Sequence, residues 1–375
     1  MRATVIGAGP AGLAAAACLV GEGIETRILE QAADVGSSWR NHYGRLRLHT
    51  ARGRSGLPGL AMPAHYGRYP SRADMVEYLE TYAGHFGLDP RFGVTVEMVR
   101  PGSGGWVVQH SEGTDKSDVV VFATGLNGMP FRAPLPGLDD FTGTVLHSSD
   151  YHAPEPMASQ RVLVVGFGNS GGEIALDLAE AGARVTMSVR GPVNILPKEI
   201  FGVPITSMGL LRKILPYRVA DAVTAPVLRA KIGRPEDYGL KSAGKGPAAQ
   251  VIEDGRIPLI DIGTLAAIRD GAVTVRPGVD RIDGGTVHFV NGTEEPVDTI
   301  LLATGYRVDL RTMLPETPEV LDKGGKPLVS GAETGAPGLY FCSYHASAEG
   351  QLRQSGLEAE AIAQGVRAAR TRPRI

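Results

Sequence analysis

The sequence predicts an α/β protein built from two doubly wound units, each with a parallel sheet. Two observations predict this class. An apolar strand, a glycine turn, an Ala/Leu-rich helix and a second strand occur in that order twice, around residues 7–12 and 166–171. Two buried strands, at residues 119–125 and 299–306, also end in the same Ala-Thr-Gly triplet. Repeated β-α-β patterns of this kind indicate parallel sheets flanked by helices.

The order of the patterns predicts that the second unit is inserted into the first. We expect residues 1–152 to form the first part of one domain, 153–292 to form the inserted domain, and 293–375 to return to the first. A helical insert is expected at about 203–250. Prolines at 204, 216 and 226 interrupt any long amphipathic helix there. We therefore interpret it as a helical cover, with membrane contact as the alternative, although it carries Arg212, Lys213, Arg218, Arg229 and Lys231.

Composition excludes several classes of protein. Of the 375 residues, 43% are hydrophobic and 21% are charged, the ordinary balance for a globular core. The net charge of −2 lacks the positive excess that is typical of nucleic-acid-binding proteins. The chain has no apolar stretch near the ~20 residues that a membrane span needs. The first strand begins at once, which leaves no room for a signal peptide, and we expect a cytoplasmic protein.

Cysteine and histidine usage argues against metal and disulfide chemistry. The two cysteines, Cys18 and Cys342, are far apart, and no C-x-x-C motif is present. This pattern suits a reducing compartment and offers no redox dithiol. The nine histidines are dispersed without metal-ligand spacing, so no metal site is expected.

The first glycine turn predicts an FAD site. Gly7 permits the tight turn, Gly9 lets the backbone approach a pyrophosphate, and Gly12 lets helix and strand pack closely. Free N–H groups and the helix dipole favour phosphate at this helix terminus. Glu30 ends the second strand, where an acid accepts hydrogen bonds from ribose hydroxyls and repels a 2′-phosphate. The turn therefore suits FAD or NAD in a dinucleotide-binding (Rossmann-like) unit.

The second glycine turn predicts an NADPH site. Gly166, Gly168 and Gly171 repeat the same spacing, but the position that corresponds to the acid is Arg190. A guanidinium there can pair with a 2′-phosphate through charge-assisted hydrogen bonds. A protein that holds FAD and NADPH moves hydride to the flavin. Without a dithiol or a metal, O₂ remains as the next acceptor.

The segment between the two units resembles a known family. Phe141-x-Gly143-x-x-x-His147-x-x-x-Tyr151 matches the fingerprint of the class B flavin-dependent monooxygenases. Tyr at the last position is similar to the flavin-containing and YUCCA branches rather than to Baeyer–Villiger enzymes. The resemblance implies that this linker helps couple NADPH binding to catalysis, which leaves His147 unsuited as a base acting on substrate.

Further segments make the chain similar to the YUCCA-like indole-3-pyruvate monooxygenases and their bacterial relatives. They are Gly36-Ser37-Ser38-Trp39, Leu46-x-Leu48-His49, Leu57-Pro58, Gly168-Asn169-Ser170-Gly171-x-Glu173, residues 196–202, residues 238–241, Gly246-Pro247 and Pro258-x-x-Asp261-x-Gly263. The resemblance implies oxidation of a 2-oxo acid to the shorter acid through a C4a-peroxyflavin. Bound NADP⁺ then shields this intermediate from water.

The resemblance and the turns together define the expected site. We expect His49, Asn169 and His147 to take part in catalysis. Cofactor contacts are expected from Gly7, Gly9, Pro10, Ala11, Gly12, Glu30, Gln31, Ser38, Trp39, Leu46, His49, Thr50, Val96, Ala123, Thr124, Gly125, Gly166, Gly168, Asn169, Ser170, Gly171, Glu173, Arg190, Thr304, Gly305, Gln351 and Leu352.

The segment at residues 344–353 departs from the plant YUCCA pattern and leaves the substrate open. His345 and Arg353 there are candidates for meeting an acid substrate, and equally for surface positions near the last helix. The partners expected are a small-molecule substrate and O₂. The alternatives are N- or S-oxygenation of a soft nucleophile, or an NADPH–flavin oxidase or reductase. A homodimer is compatible with the sequence, which does not determine the oligomeric state.

Overall fold

The structure, a computed structural model, describes residues 1–207 and 215–371. Its strands are β1 (Arg2–Ile6), β2 (Glu25–Leu29), β3 (Pro90–Arg91), β4 (Val96–Gly102), β5 (Gly105–His110), β6 (Gly113–Ser117), β7 (Val119–Phe122), β8 (Met129–Pro130), β9 (Thr144–His147), β10 (Arg161–Val165), β11 (Arg184–Ser188), β12 (Ile195–Pro197), β13 (Glu199–Ile200), β14 (Val203–Pro204), β15 (Leu259–Asp261), β16 (Val273–Arg276), β17 (Val279–Asp283), β18 (Thr286–Phe289), β19 (Glu294–Pro296), β20 (Thr299–Leu302), β21 (Tyr306–Arg307) and β22 (Leu339–Phe341).

The helices are α1 (Pro10–Gly21), α2 (Ser37–Arg40), α3 (Arg72–His85), α4 (Asn169–Glu180), α5 (Tyr217–Ile232), α6 (Pro247–Asp254), α7 (Thr264–Arg269) and α8 (Gln351–Thr371). The helical insert predicted at about 203–250 contains α5 and the start of α6. Its residues Arg212 and Lys213 lie outside the described residues.

The chain divides into two compact units. The first unit comprises Met1–Asn41, Thr50–Met129 and the chain from Arg307 onward. The second unit comprises His42–His49 and Pro130–Tyr306. We refer to His42–His49 as the crossover segment, because it leaves the first unit and returns to it.

The first unit is built on a five-stranded parallel sheet in the order β22-β7-β1-β2-β3. Helix α1 follows β1 directly, with Pro10 at its first position, where the missing N–H leaves no bond unmade. A separate antiparallel sheet, β4-β5-β6, packs its apolar residues into the same core.

Helices α1 and α8 lie side by side and run in the same direction in the first unit. The Cys342 sulfur lies 3.8 Å from the Ala11 carbonyl and 3.7 Å from the Ser355 carbonyl, near the start of each helix. At the other end, Arg367 contacts the Glu22 carboxylate at 3.3 Å. Both N-termini therefore lie at the carboxyl edge of the parallel strands, where dinucleotides bind in such sheets.

The second unit repeats this architecture with a parallel sheet in the order β16-β11-β10-β20-β9. Helix α4 follows β10 and buries one apolar face against the sheet. Smaller ladders β12-β15 and β13-β14 and the antiparallel sheet β17-β18-β19 complete it. Two parallel-sheet units confirm the predicted α/β class.

The boundaries of the units differ from those predicted. Strand β20 pairs in parallel with β10, just as β7 pairs with β1, and β9 pairs with β20. Residues 130–152 and 293–306, expected in the first domain, therefore belong to the second unit, together with the crossover segment. Hydrogen bonding along β20 keeps the chain in the second sheet, and the return to the first unit starts only at Arg307.

Helix length and the placement of possible metal ligands both bear on function. None of the helices in ranges 1–207 and 215–371 has the length and apolar character needed to cross a membrane. Within the same ranges, no group of three or more His, Cys, Asp or Glu side chains is placed to hold a metal ion.

Candidate dinucleotide and active-site residues

The first glycine turn has the shape of a phosphate cradle. Gly7 has φ +109°, and a Cβ on it would lie 2.7 Å from the Ala123 carbonyl oxygen. A Cβ on Gly12 would lie 1.9 Å from the Gly7 carbonyl oxygen, so the turn and α1 touch directly. On Gly9, by contrast, a Cβ would meet none of the described atoms within 4 Å, chain neighbours aside. Open space at Gly9 in front of a helix N-terminus fits a pyrophosphate.

Glu30 is held against this turn. Its buried carboxylate accepts hydrogen bonds from the Ala8 N–H at 2.6 Å and from the Ala32 N–H at 2.9 Å. A carboxylate has about four acceptor positions, so capacity remains for ribose hydroxyls. Gly36, just before α2, donates its N–H to the Ala8 carbonyl at 3.1 Å, which brings the segment of Trp39 to the turn. Gln31 and Ser38 are exposed on this side of the unit.

The second turn repeats the cradle. Gly166 has φ +120°, and a Cβ there would lie 2.4 Å from the Ala303 carbonyl oxygen. On Gly171 it would lie 2.7 Å from the Gly166 carbonyl oxygen, whereas on Gly168 it would meet none of the described atoms within 4 Å. Arg190 is exposed just beyond β11 and makes no hydrogen bond or ion pair with described residues. Its guanidinium is available for a phosphate.

The two Ala-Thr-Gly triplets have different neighbours. In the first unit, the Thr124 N–H and hydroxyl contact the Tyr344 hydroxyl at 3.2 and 2.6 Å. Burial raises the pKa of Tyr344 to about 12, so the phenol stays protonated. Gly125 has φ +81°. Tyr344 was not among the expected site residues. Its position just after the strand β22 is the sequence feature that could have identified it.

In the second unit, the triplet is tied to the linker fingerprint. The Thr304 hydroxyl donates to the Phe131 carbonyl. His147 Nε2 donates to the Gly305 carbonyl at 3.0 Å, and His147 Nδ1 accepts the Ser149 N–H at 3.1 Å. Burial lowers the pKa of His147, which favours the neutral ring. With both nitrogens bonded, the ring holds Gly305 in place. These contacts give His147 a structural task, and the catalytic role expected for it stays a prediction.

Asn169, also expected in catalysis, uses its amide on the backbone. Its Oδ1 accepts the Ile260 N–H at 2.7 Å, and its Nδ2 donates to the Pro258 carbonyl at 3.4 Å. The first residue of α4 therefore anchors β15. Asp261 then accepts the N–H groups of Gly263 and Leu265 at 3.2 and 3.0 Å, which starts α7. The YUCCA-like motif at residues 258–263 therefore has a structural role in joining α4, β15 and α7.

Glu173 lies in a buried cluster with the crossover segment. His49 Nε2 lies 2.5 Å from Glu173 Oε1, and the Tyr43 hydroxyl donates to Glu173 Oε2 at 3.1 Å. Both oxygens of this expected cofactor contact are thus engaged by protein groups. Lys198 is close enough for the Glu173 charge to act on it, although burial has the larger effect and lowers the lysine pKa.

The expected cofactor contacts around His49 are split between the units. Leu46 packs on the core of the second unit, to which His49 also belongs. Thr50 belongs to the first unit, where its hydroxyl lies 2.7 Å from that of Ser55. The chain changes unit between these two residues.

The remaining expected contacts lie in the first unit. Val96 opens β4 and is buried in the core. Gln351 Nε2 donates to the Ser343 carbonyl and hydroxyl, at 3.2 and 2.7 Å, at the start of α8. Leu352 is buried beside it.

Two cradles in separate parallel-sheet units, one backed by an acid and one by a free arginine, define a protein that binds two dinucleotides. The family model for FMO-like, flavin-binding monooxygenase-like proteins matches residues 1–319, and the chain belongs to this family. It is an NADPH-dependent flavin monooxygenase, which confirms the predicted family, cofactors and class of enzyme.

A similar sequence agrees with this assignment, and a solved structure shares the fold. The chain is 38% identical over 350 residues to indole-3-pyruvate monooxygenase YUCCA1 of Oryza sativa subsp. japonica, covering 91% of this chain and 86% of the relative. It resembles the structure of a flavin-containing monooxygenase from Stenotrophomonas maltophilia at 23% identity and a TM-score of 0.77, covering 99% of both chains.

The fold is also used for a different reaction. A bacillithiol disulfide reductase from Staphylococcus aureus has a TM-score of 0.72 at 18% identity, covering 99% of both chains. In this chain, burial raises the pKa of Cys18 to about 11 and that of Cys342 well above its usual value. Protonated, unpaired thiols are poorly suited to disulfide exchange.

Proposed function

We propose that this monooxygenase oxidises a small 2-oxo acid to the acid one carbon shorter. The observation that carries the proposal is the 38% identity to an indole-3-pyruvate monooxygenase across 91% of the chain. The reaction consumes the 2-oxo acid, O₂, NADPH and a proton, and yields the acid, CO₂, NADP⁺ and water. The bond between the keto and carboxyl carbons breaks, and one atom of O₂ enters the new carboxyl group.

We propose that the first unit holds FAD and the second NADPH. When bound, the two cofactors supply the hydride and the activation of O₂. The chain itself contributes placement: Glu30 accepts hydrogen bonds from ribose hydroxyls, Arg190 binds the 2′-phosphate, and the N-termini of α1 and α4 face the pyrophosphates. His49 stays our candidate for contact with the reacting molecules.

A pair of arginines supports an acid substrate. Glu349 Oε2 lies 3.3 Å from Arg54 Nη2 and 3.5 Å from Arg353 Nε. Two cations share one carboxylate and leave a net positive charge beside the N-terminus of α8. A substrate carboxylate can join or replace Glu349 there. His345, the other candidate for an acid substrate, is exposed.

Replacing Arg353 by Met should raise the KM for a 2-oxo acid by roughly tenfold, since a hydrogen bond to a charged group contributes about 1.5–3 kcal/mol. Steady-state kinetics with indole-3-pyruvate and phenylpyruvate measures the change. Arg367→Met, on the same helix but paired with Glu22, is the matched control and should leave KM unchanged. Equal KM values for both variants would contradict an acid site at Arg353.

Product analysis tests the reaction class. The purified protein is given NADPH, O₂ and, in turn, 2-oxo acids, amines and sulfides, and product, NADPH and H₂O₂ are quantified. We expect one shorter acid and one CO₂ for each NADPH consumed. N- or S-oxides without acid would favour oxygenation of a soft nucleophile instead. Stoichiometric H₂O₂ with the amines and sulfides, together with acid formation from 2-oxo acids that catalase abolishes, would favour an oxidase.

We also propose that the activity is cytoplasmic. Both cysteines are unpaired, as suits a reducing compartment. A homodimer stays a prediction, which light scattering of the purified protein would test.

A further inference from the structure

Helix α4 presents a row of three carboxylates to the crossover segment. Glu173, Asp177 and Glu180 are spaced so that they lie on one helical face. Arg45 Nη1 lies 3.1 Å from Asp177 Oδ1 and 2.8 Å from Glu180 Oε2. The crossover segment is therefore fastened to the same helix whose N-terminus forms the second glycine turn.

The contacts that these three carboxylates make with the crossover segment differ in how deeply they are buried. The Glu180 side chain is 58% exposed, and exposed ion pairs contribute little to stability. The Glu173 side chain is only 3% exposed, and its partner His49 is 14% exposed. Burying a carboxylate is costly unless hydrogen bonds compensate. Tyr43 and His49 provide that compensation, since burial raises the pKa of Tyr43 and keeps its hydroxyl a donor.

The contact with Glu173 determines how the His49 ring is presented. A carboxylate is an acceptor, so the 2.5 Å contact places a proton on His49 Nε2. The other nitrogen, Nδ1, is buried and has no hydrogen-bond partner among the described residues. An unsatisfied buried nitrogen is costly and calls for a partner outside the protein.

We propose that Glu173 is a positioning residue that holds the His49 ring so that Nδ1 accepts a hydrogen bond from an N–H or O–H group of a bound cofactor or substrate. Glu173, expected from the sequence to contact a cofactor, acts through His49 in this proposal. The proposal rests on the monooxygenase reaction of the family and is independent of which 2-oxo acid is the substrate.

We expect loss of the contact between Glu173 and His49 to affect the reaction of reduced flavin with O₂ rather than the binding of NADPH. A hydrogen bond to Nδ1 that holds the bound molecule in place would help exclude water, and so slow the unproductive return of reduced flavin to the oxidised form after O₂ binds. Glu173→Gln keeps the side-chain volume but removes the charge that fixes the ring. Because Gln carries a donor as well as an acceptor, it cannot accept from both Tyr43 and His49 through two oxygens.

The test uses the FAD-loaded, full-length protein without substrate. Each variant is reduced with one equivalent of NADPH and mixed rapidly with O₂, and the return of oxidised flavin absorbance is followed. We expect Glu173→Gln and His49→Gln each to speed this return by about tenfold. The double variant should add little, because both changes remove one interaction. The rate of flavin reduction by NADPH should change less than twofold.

Glu180→Gln is the matched control, because Glu180 lies on the same helix and holds the same segment through Arg45. It should leave the return of oxidised flavin unchanged. If Glu173→Gln weakens NADPH binding and leaves that return unchanged, the proposal is overturned and Glu173 is a cofactor ligand. If Glu173→Gln does not fold, His49→Gln decides, and an unchanged return in it overturns the proposal. If oxidised flavin returned immediately in the unaltered protein, that result would instead contradict the monooxygenase reaction of the family.

Discussion

The Gly9→Ala protein is expected to fold normally, to bind FAD more weakly and to retain less of it through purification. The new Cβ would meet none of the described atoms within 4 Å, so the protein itself has room for it. Gly9 has φ −80°, which alanine adopts without strain. The methyl group would occupy the space that a pyrophosphate needs beside the turn. A forced fit of this kind costs about 1–3 kcal/mol, or roughly 5–150-fold in affinity.

The measurement is the ratio of flavin to protein after purification, together with the melting temperature of the flavin-free forms. Gly168→Ala is the matched variant in the second unit and should retain FAD while binding NADPH more weakly. Gly12→Ala should instead destabilise the fold, because its Cβ would lie 1.9 Å from the Gly7 carbonyl oxygen. Loss of NADPH binding in Gly9→Ala with full FAD content would mean that the two cofactors had been assigned to the wrong units.

Arg190→Ala is expected to abolish the preference for NADPH over NADH. The guanidinium is exposed and has no partner in the part of the chain that the structure describes, so its removal breaks no interaction there. A charge-assisted pair with a 2′-phosphate contributes about 1.5–3 kcal/mol, or roughly 10–150-fold in affinity. The KM for NADPH should rise by this factor, while the KM for NADH stays within about twofold because NADH lacks the phosphate.

Arg184→Ala is the control for charge alone, since Arg184 is exposed at the opposite end of β11. It should leave the preference intact. A preference for NADPH that survives in Arg190→Ala would mean that another group reads the 2′-phosphate.

The features that could be predicted from the sequence are those that depend on local residue patterns. The glycine turns, the strands beside them and the acid-to-arginine exchange between Glu30 and Arg190 each depend on a short stretch of chain. The unit boundaries depend instead on pairing between distant segments. Strand β20 joins β10 and β9, and only that pairing shows that residues 293–306 belong to the second unit.

The same distinction between local patterns and distant pairing explains why several expected site residues form hydrogen bonds with the protein itself. The partners of His147 and Asn169 are backbone groups of Gly305 and Ile260, which no local motif reveals. Glu173 lies in the glycine-turn motif, but the groups that bond to it come from the crossover segment. Polar residues in a family motif can thus serve the scaffold that holds a site rather than the reaction.

Incorporation of isotopically labelled O₂ tests the central claim most directly. The protein, NADPH and indole-3-pyruvate react under labelled O₂ in the presence of catalase, because free H₂O₂ would itself decarboxylate the 2-oxo acid and pass its label to the product. Mass spectrometry then measures the label in the product acid. We predict one labelled oxygen in each new carboxyl group and one NADPH consumed for each product. NADPH consumption without formation of labelled acid would contradict enzymatic oxygen transfer by this chain.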